Sequence, residues 1–327
     1  MFRVLGLGAF GEFLARAALP GLALAMLLPI CVACAGSPAS PTPPADATGQ
    51  AVSTATTRSA PISIVAAENF YGDVATQIGG NRVTVVSILK DPNVDPHEYE
   101  SNVDDAKAIG SAQIVIKNGL GYDAFIDKLL AASPRPNRIV IDVGQLTGHQ
   151  EGDNPHVWYQ LATMPKVAQK LSQTLSQLDP ADAAYFNGRL QSFDASEKAV
   201  ADQVAAMKAK ERGMKVLPTE PVFNYMAEEI GLDVVDKEGD FQRAVENGND
   251  PPALAVATFR QQITSHAIKA LIYNSQAVTP MTSQMQDLAR QNHVPVVAVS
   301  ETEPEGVTYQ QWMLSQLRVL QQALEQP

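Results

Sequence analysis

The chain reads as an α/β protein, with parallel sheets in two lobes joined by one long helix. Short runs rich in Val and Ile recur at residues 62–67, 83–89, 114–117, 138–143, 215–218, 232–235, 270–273 and 295–299. Each has the length of a buried parallel strand, and helical patterns such as 71–78 and 124–132 fall between them. Strands alternating with helices are the signature of parallel sheets covered by helices. A length of 327 residues, 45% of them hydrophobic, is enough for two such units.

The long helix lies between the two sets of runs. Asp179 suits an N-cap and Pro180 the first helical position. Phe186, Leu190, Phe193, Val200, Val204 and Met207 follow at spacings of 3, 4 or 7, which puts them on one face. Only Gly188 weakens the pattern, and Gly213 suits the position just past the helix end. A helix over 180–212 would be about 50 Å long, enough to run across both lobes. The other reading is two ordinary helices broken near Ser196. The predicted organisation is a first lobe over 62–179, the linking helix over 180–212 and a second lobe over 213–327.

The N-terminus stands apart from this pattern. Residues 17–33 form an apolar stretch after Arg3 and Arg16. It is shorter than the roughly 20 residues of a membrane span and carries Pro20 and Pro29, so residues 1–33 read as a secretory signal peptide. The two cysteines, Cys31 and Cys34, fall at its end. Small residues before Cys34, with Gly36 and Ser37 after it, resemble a bacterial lipoprotein processing site, although Cys31 replaces the usual Leu. An acylated Cys34 would anchor the chain in a bilayer, and Ser, Thr, Pro and Ala dominate residues 36–61. Residues 34–61 therefore read as the lipidated end and a flexible tether.

A formal net charge of −11 argues against a nucleic-acid partner, because phosphate contacts need clustered Lys and Arg. A mean hydropathy of −0.07 excludes a polytopic membrane protein.

Two of the five histidines sit in matched loops. Asp95-Pro96-His97 follows the run ending at Leu89, and Asn154-Pro155-His156 precedes a helix expected near Pro165. Proline stiffens both loops, and His97 falls beyond the carboxyl end of a strand, where open α/β sheets bind ligands. His266 and His293 read as structural. His149, with Glu151 and Asp153, reads as a solvated loop, the alternative being a metal pick-up point at a rim. Asp123 and Asp142 are candidates to orient a ligating imidazole.

DPHEYE at 95–100, NGLGYDAFIDKLL at 118–130, NPHVW at 154–158 and LPTEPVFNY at 217–225 together resemble the zinc/manganese family of ABC-transporter solute-binding proteins. Tyr309-Gln-Gln-Trp-Met313 fits the same family, and the resemblance covers nearly everything from Ile62 onward. It implies two Rossmann-like lobes and a divalent transition metal, Mn²⁺ or Zn²⁺, carried as cargo. Residue by residue, it implies His97 and His156 as ligands from the first lobe and Glu220 as the third. The fourth is a carboxylate of the second lobe, Glu301, with Glu303 its rival. Asn274 is a candidate to orient a ligand, or else an ordinary strand-to-helix cap. The resemblance also implies a monomeric lipoprotein at the outer face of the bacterial cytoplasmic membrane, docking on a permease and its ATPase. Imidazole and carboxylate donors suit both metals.

Two other classes compete: a metal-dependent hydrolase and a surface adhesin lipoprotein. The sequence has no His-Glu-x-x-His helix, no Gly-x-Ser-x-Gly turn and no phosphate loop, so no enzyme activity is expected.

Overall fold

The computed structural model describes residues 60–326, Glu238 apart. The predicted signal peptide, Cys34 and most of the tether lie outside the described residues. Four strands form a first sheet: β1 (Ile62–Glu68), β2 (Val83–Leu89), β3 (Ile114–Lys117) and β4 (Ile139–Asp142), in the order β2-β1-β3-β4. A second sheet repeats this winding with β5 (Lys215–Pro218), β6 (Asp233–Val234), β7 (Ala270–Asn274) and β8 (Val296–Val299), in the order β6-β5-β7-β8. Every strand pair is parallel. All eight apolar runs carry a strand. The run at 232–235 yields only two residues of it, because the Leu232 N–H donates to Ala227 O and closes the preceding helix.

In each sheet the chain leaves its first strand toward one edge, then crosses to the other side. The switch points, β1/β3 and β5/β7, leave a crevice at the carboxyl ends of the strands. Residues that follow those ends can meet there: Glu220 after β5, Asn274 ending β7, and Glu301 two residues past β8.

The long helix runs unbroken from Ala183 to Glu211, about 43 Å at the standard rise. Ser196 does not break it; its hydroxyl donates to Ser192 O within the helix. The start differs from expectation. Pro180 opens a separate 3₁₀ turn, Pro180–Asp182, and Asp179 makes no side-chain capping bond. The end matches: Gly213 takes φ +80°, a conformation that costs a residue without Cβ least. Phe186, Phe193, Val200, Val204 and Met207 are buried along one face, and Leu190 is half-buried. Glu197 and Glu211 lie buried on that same face, which hydrophobic spacing alone could not show. Burial pushes the Glu197 carboxyl up to about 7, despite a hydrogen bond from Gln310.

One hydrophobic cluster includes Ile64 and Trp158 beside the first sheet, Phe193 and Val204 of the long helix, and Phe223, Ile272 and Trp312 beside the second. Aromatic rings bridge the two halves. Phe70 stacks on Trp158 at 4.7 Å and on Trp312 at 5.9 Å, and Tyr159 meets Phe223 edge-on at 5.4 Å. Close-packed interiors resist continuous deformation, so wide hinge rotation would have to part these rings.

Candidate metal centre

Both histidine loops are built by the same local device. In the first, Asp95 Oδ1 accepts the His97 N–H at 2.9 Å, and Pro96 starts the 3₁₀ turn Pro96–Glu98. In the second, Asn154 Oδ1 accepts the His156 N–H at 3.0 Å. A short polar side chain two residues before the histidine thus folds the loop, and proline fixes φ between them.

Asn154 also sets the chemistry of His156. Its Nδ2 donates to Pro221 O at 2.9 Å, so its Oδ1 is the acceptor that faces His156 Nδ1 at 2.7 Å. Nδ1 therefore carries a proton and donates it to Asn154, which leaves Nε2, facing Glu301, as the ring atom available for coordination. His156 is completely buried, whereas His97 keeps about a quarter of its side chain exposed.

Glu301 receives both imidazoles. Its Oε2 lies 3.3 Å from His156 Nε2 and 3.5 Å from His97 Nε2, and accepts the Tyr122 hydroxyl at 2.8 Å. Candidate donor atoms of His97, His156 and Glu301 all lie within 4.8 Å of one another. Burial pushes the Glu301 carboxyl up, but hydrogen bonding and charge from His156, the charge of His97 and the Tyr122 hydroxyl outweigh it. The result is a carboxyl brought down to about 2, ionised at any physiological pH.

Glu220 lies outside this group of three and is linked to it through Asn274. Asn274 Nδ2 donates to Glu301 Oε1 at 2.5 Å and to Glu220 Oε2 at 3.0 Å, while its Oδ1 accepts the Gln276 N–H. Asn274 is thus both a turn cap and an organiser of the two carboxylates. Glu220 Oε1 is buried without a hydrogen-bond partner. Burial, then the charge of Glu301, push its carboxyl well above the ordinary range. The arrangement offers two imidazoles and two carboxylates, a donor set that suits a dehydrated dication.

Glu303 faces elsewhere. Its backbone N–H donates to Asn69 Oδ1, its carbonyl accepts from Asn69 Nδ2, and burial and the charge of Asp73 push its carboxyl up to about 9. A Glu303→Gln variant, which mimics the neutral acid already favoured there, is expected to bind Mn²⁺ within about two-fold of the parent in an equilibrium titration.

Asp123 and Asp142 do not orient the imidazoles. Asp123 accepts the Asn118 and Gly119 N–H groups, and Asp142 caps Val143–Thr147 and pairs with Lys117. That orienting part belongs to Asn154, and Tyr122 and Gln276 also reach the site. The Asn-x-His spacing carried a signal for Asn154; Tyr122 and Gln276 offered none. His149 is tied down, contacting Thr147 Oγ1 at 2.9 Å and Gln160 Nε2 at 3.1 Å. His266 and His293 take positive φ just after helices.

Two α/β lobes that face their switch points across a cleft, with a buried His and carboxylate cluster between them, define a two-lobed binding architecture. Residues 64–323 match the family model described as zinc-uptake complex component A, periplasmic, and the chain belongs to that family. The family is one of substrate-binding components of uptake systems, not of enzymes.

Among curated relatives, the manganese-binding lipoprotein MntA of Halalkalibacterium halodurans is 26% identical over 186 residues, 53% of this chain. That alignment spans only 59% of the relative's own length. The metal ABC transporter substrate-binding lipoprotein ScbA of Streptococcus cristatus is 25% identical over 300 residues, 82% of this chain and 90% of the relative. The solved structure of the solute-binding protein FpvC of Pseudomonas aeruginosa with Ni²⁺ superposes with a TM-score of 0.67 at 21% identity. It covers 81% of this chain and 97% of that one, a likeness of fold.

Proposed function

We propose that this chain is the metal-capturing subunit of an ABC importer, holding one divalent ion between lobes spanning 62–179 and 213–327. His97, His156 and Glu301 coordinate the ion directly, and Glu220 closes the site as fourth ligand. The observation that carries this reading is the convergence of two imidazoles from one lobe and a buried carboxylate of the other on one point.

The partnerless Glu220 oxygen supports its role as the remaining donor. Two carboxylates make the bound site formally neutral and can chelate through both oxygens. That tolerates the higher coordination of Mn²⁺ better than tetrahedral Zn²⁺, while the Irving–Williams order favours Zn²⁺. The lipoprotein names of the relatives support acylation at Cys34 and a place on the outer face of the cytoplasmic membrane. There the loaded monomer docks on a permease served by an ATPase. The sequence signals for a hydrolase are missing, and the tether and long linking helix suit capture rather than turnover.

Elemental analysis of the purified protein, followed by competitive titration with Mn²⁺ and Zn²⁺, tests this. One equivalent of tightly held metal, absent from His156→Ala, is expected. A protein that neither carries nor takes up metal would overturn the reading.

A further inference from the structure

We infer that Gln276 is a positioning residue of the metal centre, its single carboxamide fastening the loop that carries Glu301 to the loop that carries His97. The inference rests on the metal-capture reading above and concerns how the two ligand loops are held in register.

The β7 strand ends at Asn274, and the turn that follows brings Gln276 over the cleft, its N–H held by Asn274 Oδ1 at 3.0 Å. Gln276 Oε1 accepts the N–H groups of Glu301 and Thr302, at 2.7 and 2.9 Å. Those two bonds occupy both lone pairs of the amide oxygen and fix which way the carboxamide points. Its Nε2 then faces the first lobe and donates to Val94 O at 2.9 Å. Val94 lies three residues before His97, in the stretch that joins β2 to the Pro96–Glu98 turn.

This placement matters because the His97 loop borders open space. A cavity of about 140 Å³ lies against it, lined by Ile88, Leu89, Val94, Pro96, Tyr99 and Thr302. Space under a loop leaves its position to whatever holds it from outside. The 3.5 Å approach of His97 to Glu301 depends on that position. Gln276 grips both sides of the contact, the backbone of Glu301 itself and the strand of chain leading to His97.

The chemistry of the amide separates its two halves. In Gln276→Glu, a carboxylate still accepts from Glu301 and Thr302 but has no N–H for Val94 O. In Gln276→Met, both halves are lost at similar size. The added negative charge of the Glu variant attracts a cation directly, an effect opposite in sign to the expected faster release.

Release of Mn²⁺ from the loaded full-length protein into excess metallochromic chelator should be about five-fold faster in Gln276→Glu, the factor one neutral hydrogen bond carries, and faster still in Gln276→Met. Amide hydrogen exchange of the metal-free proteins supplies a readout that general destabilisation does not reproduce. Exchange across 94–97 should quicken in both variants, whereas exchange at Glu301 and Thr302 should quicken only in Gln276→Met. A Gln276→Glu protein that matches the parent both in release rate and in exchange across 94–97 would overturn the inference, whether or not the Met variant folds. If the parent itself takes up neither Mn²⁺ nor Zn²⁺, the metal-capture reading fails, and the exchange comparison still decides whether Gln276 joins the two loops.

Discussion

Glu301→Gln should all but abolish metal retention while leaving the fold intact. The carboxylate approaches both imidazoles through one oxygen, and it is fully buried. Asn274 Nδ2 donates to one of its oxygens and the Tyr122 hydroxyl to the other. An amide of the same size removes the negative charge, and its NH₂ must face either the Asn274 Nδ2 donor or the Tyr122 hydroxyl donor. Changing partners outside a metal's ligand set typically costs about 10–100-fold in affinity, so loss of a charged ligand should exceed about 100-fold. Competitive titration measures this, and an unchanged far-ultraviolet circular dichroism spectrum separates it from unfolding. An affinity within ten-fold of the parent would remove Glu301 from the ligand set.

Acidification should weaken metal binding steeply, and Glu220 is the reason. Burial, and next the charge of Glu301, lift its carboxyl well above the ordinary 4.5 in the metal-free protein. Below that raised value it holds a proton that a cation must displace. Each displaced proton makes the apparent affinity fall about ten-fold per pH unit below the raised pKa.

The stability consequence has a definite sign. A carboxyl whose pKa is raised by folding contributes stability that is complete below its unfolded value and is lost as pH rises toward the folded one. The metal-free protein thus loses this contribution with rising pH, and a bound cation, which prefers the ionised carboxylate, restores it. The gain in melting temperature on adding Mn²⁺ should grow as pH rises above the ordinary carboxylate range. Calorimetric titrations in two buffers of different ionisation enthalpy should show protons released on binding. Glu220→Gln should flatten the pH dependence; an unchanged slope would place the displaced proton elsewhere.

The two ligand loops were easy to read because the bonds that shape them are local. Asp95 and Asn154 each act on a histidine two residues on, with proline between, and nothing beyond the loop is needed to shape the backbone. The alternation of Val- and Ile-rich runs with helices is likewise a property of short windows, and all eight runs carry strands. The linking helix was legible for the same reason, since apolar spacing and the closing Gly213 act within a few turns.

The amino-acid sequence by itself therefore determined the α/β class, the count of strands, the continuous long helix and the backbone of both histidine loops. Tertiary structure alone decided which acid approaches the imidazoles. Glu301 and Glu303 are two residues apart on an irregular loop, and only the bonds from Gln276 to one backbone and from Asn69 to the other turn them to different surroundings. It also decided that Asn274 pins two carboxylates, that Asn154 rather than Asp123 or Asp142 sets the His156 tautomer, and that Glu197 and Glu211 lie buried along the helix's apolar stripe. Each of these outcomes joins groups far apart in the chain or depends on what packs over them, and short-range pattern carries no record of such neighbours.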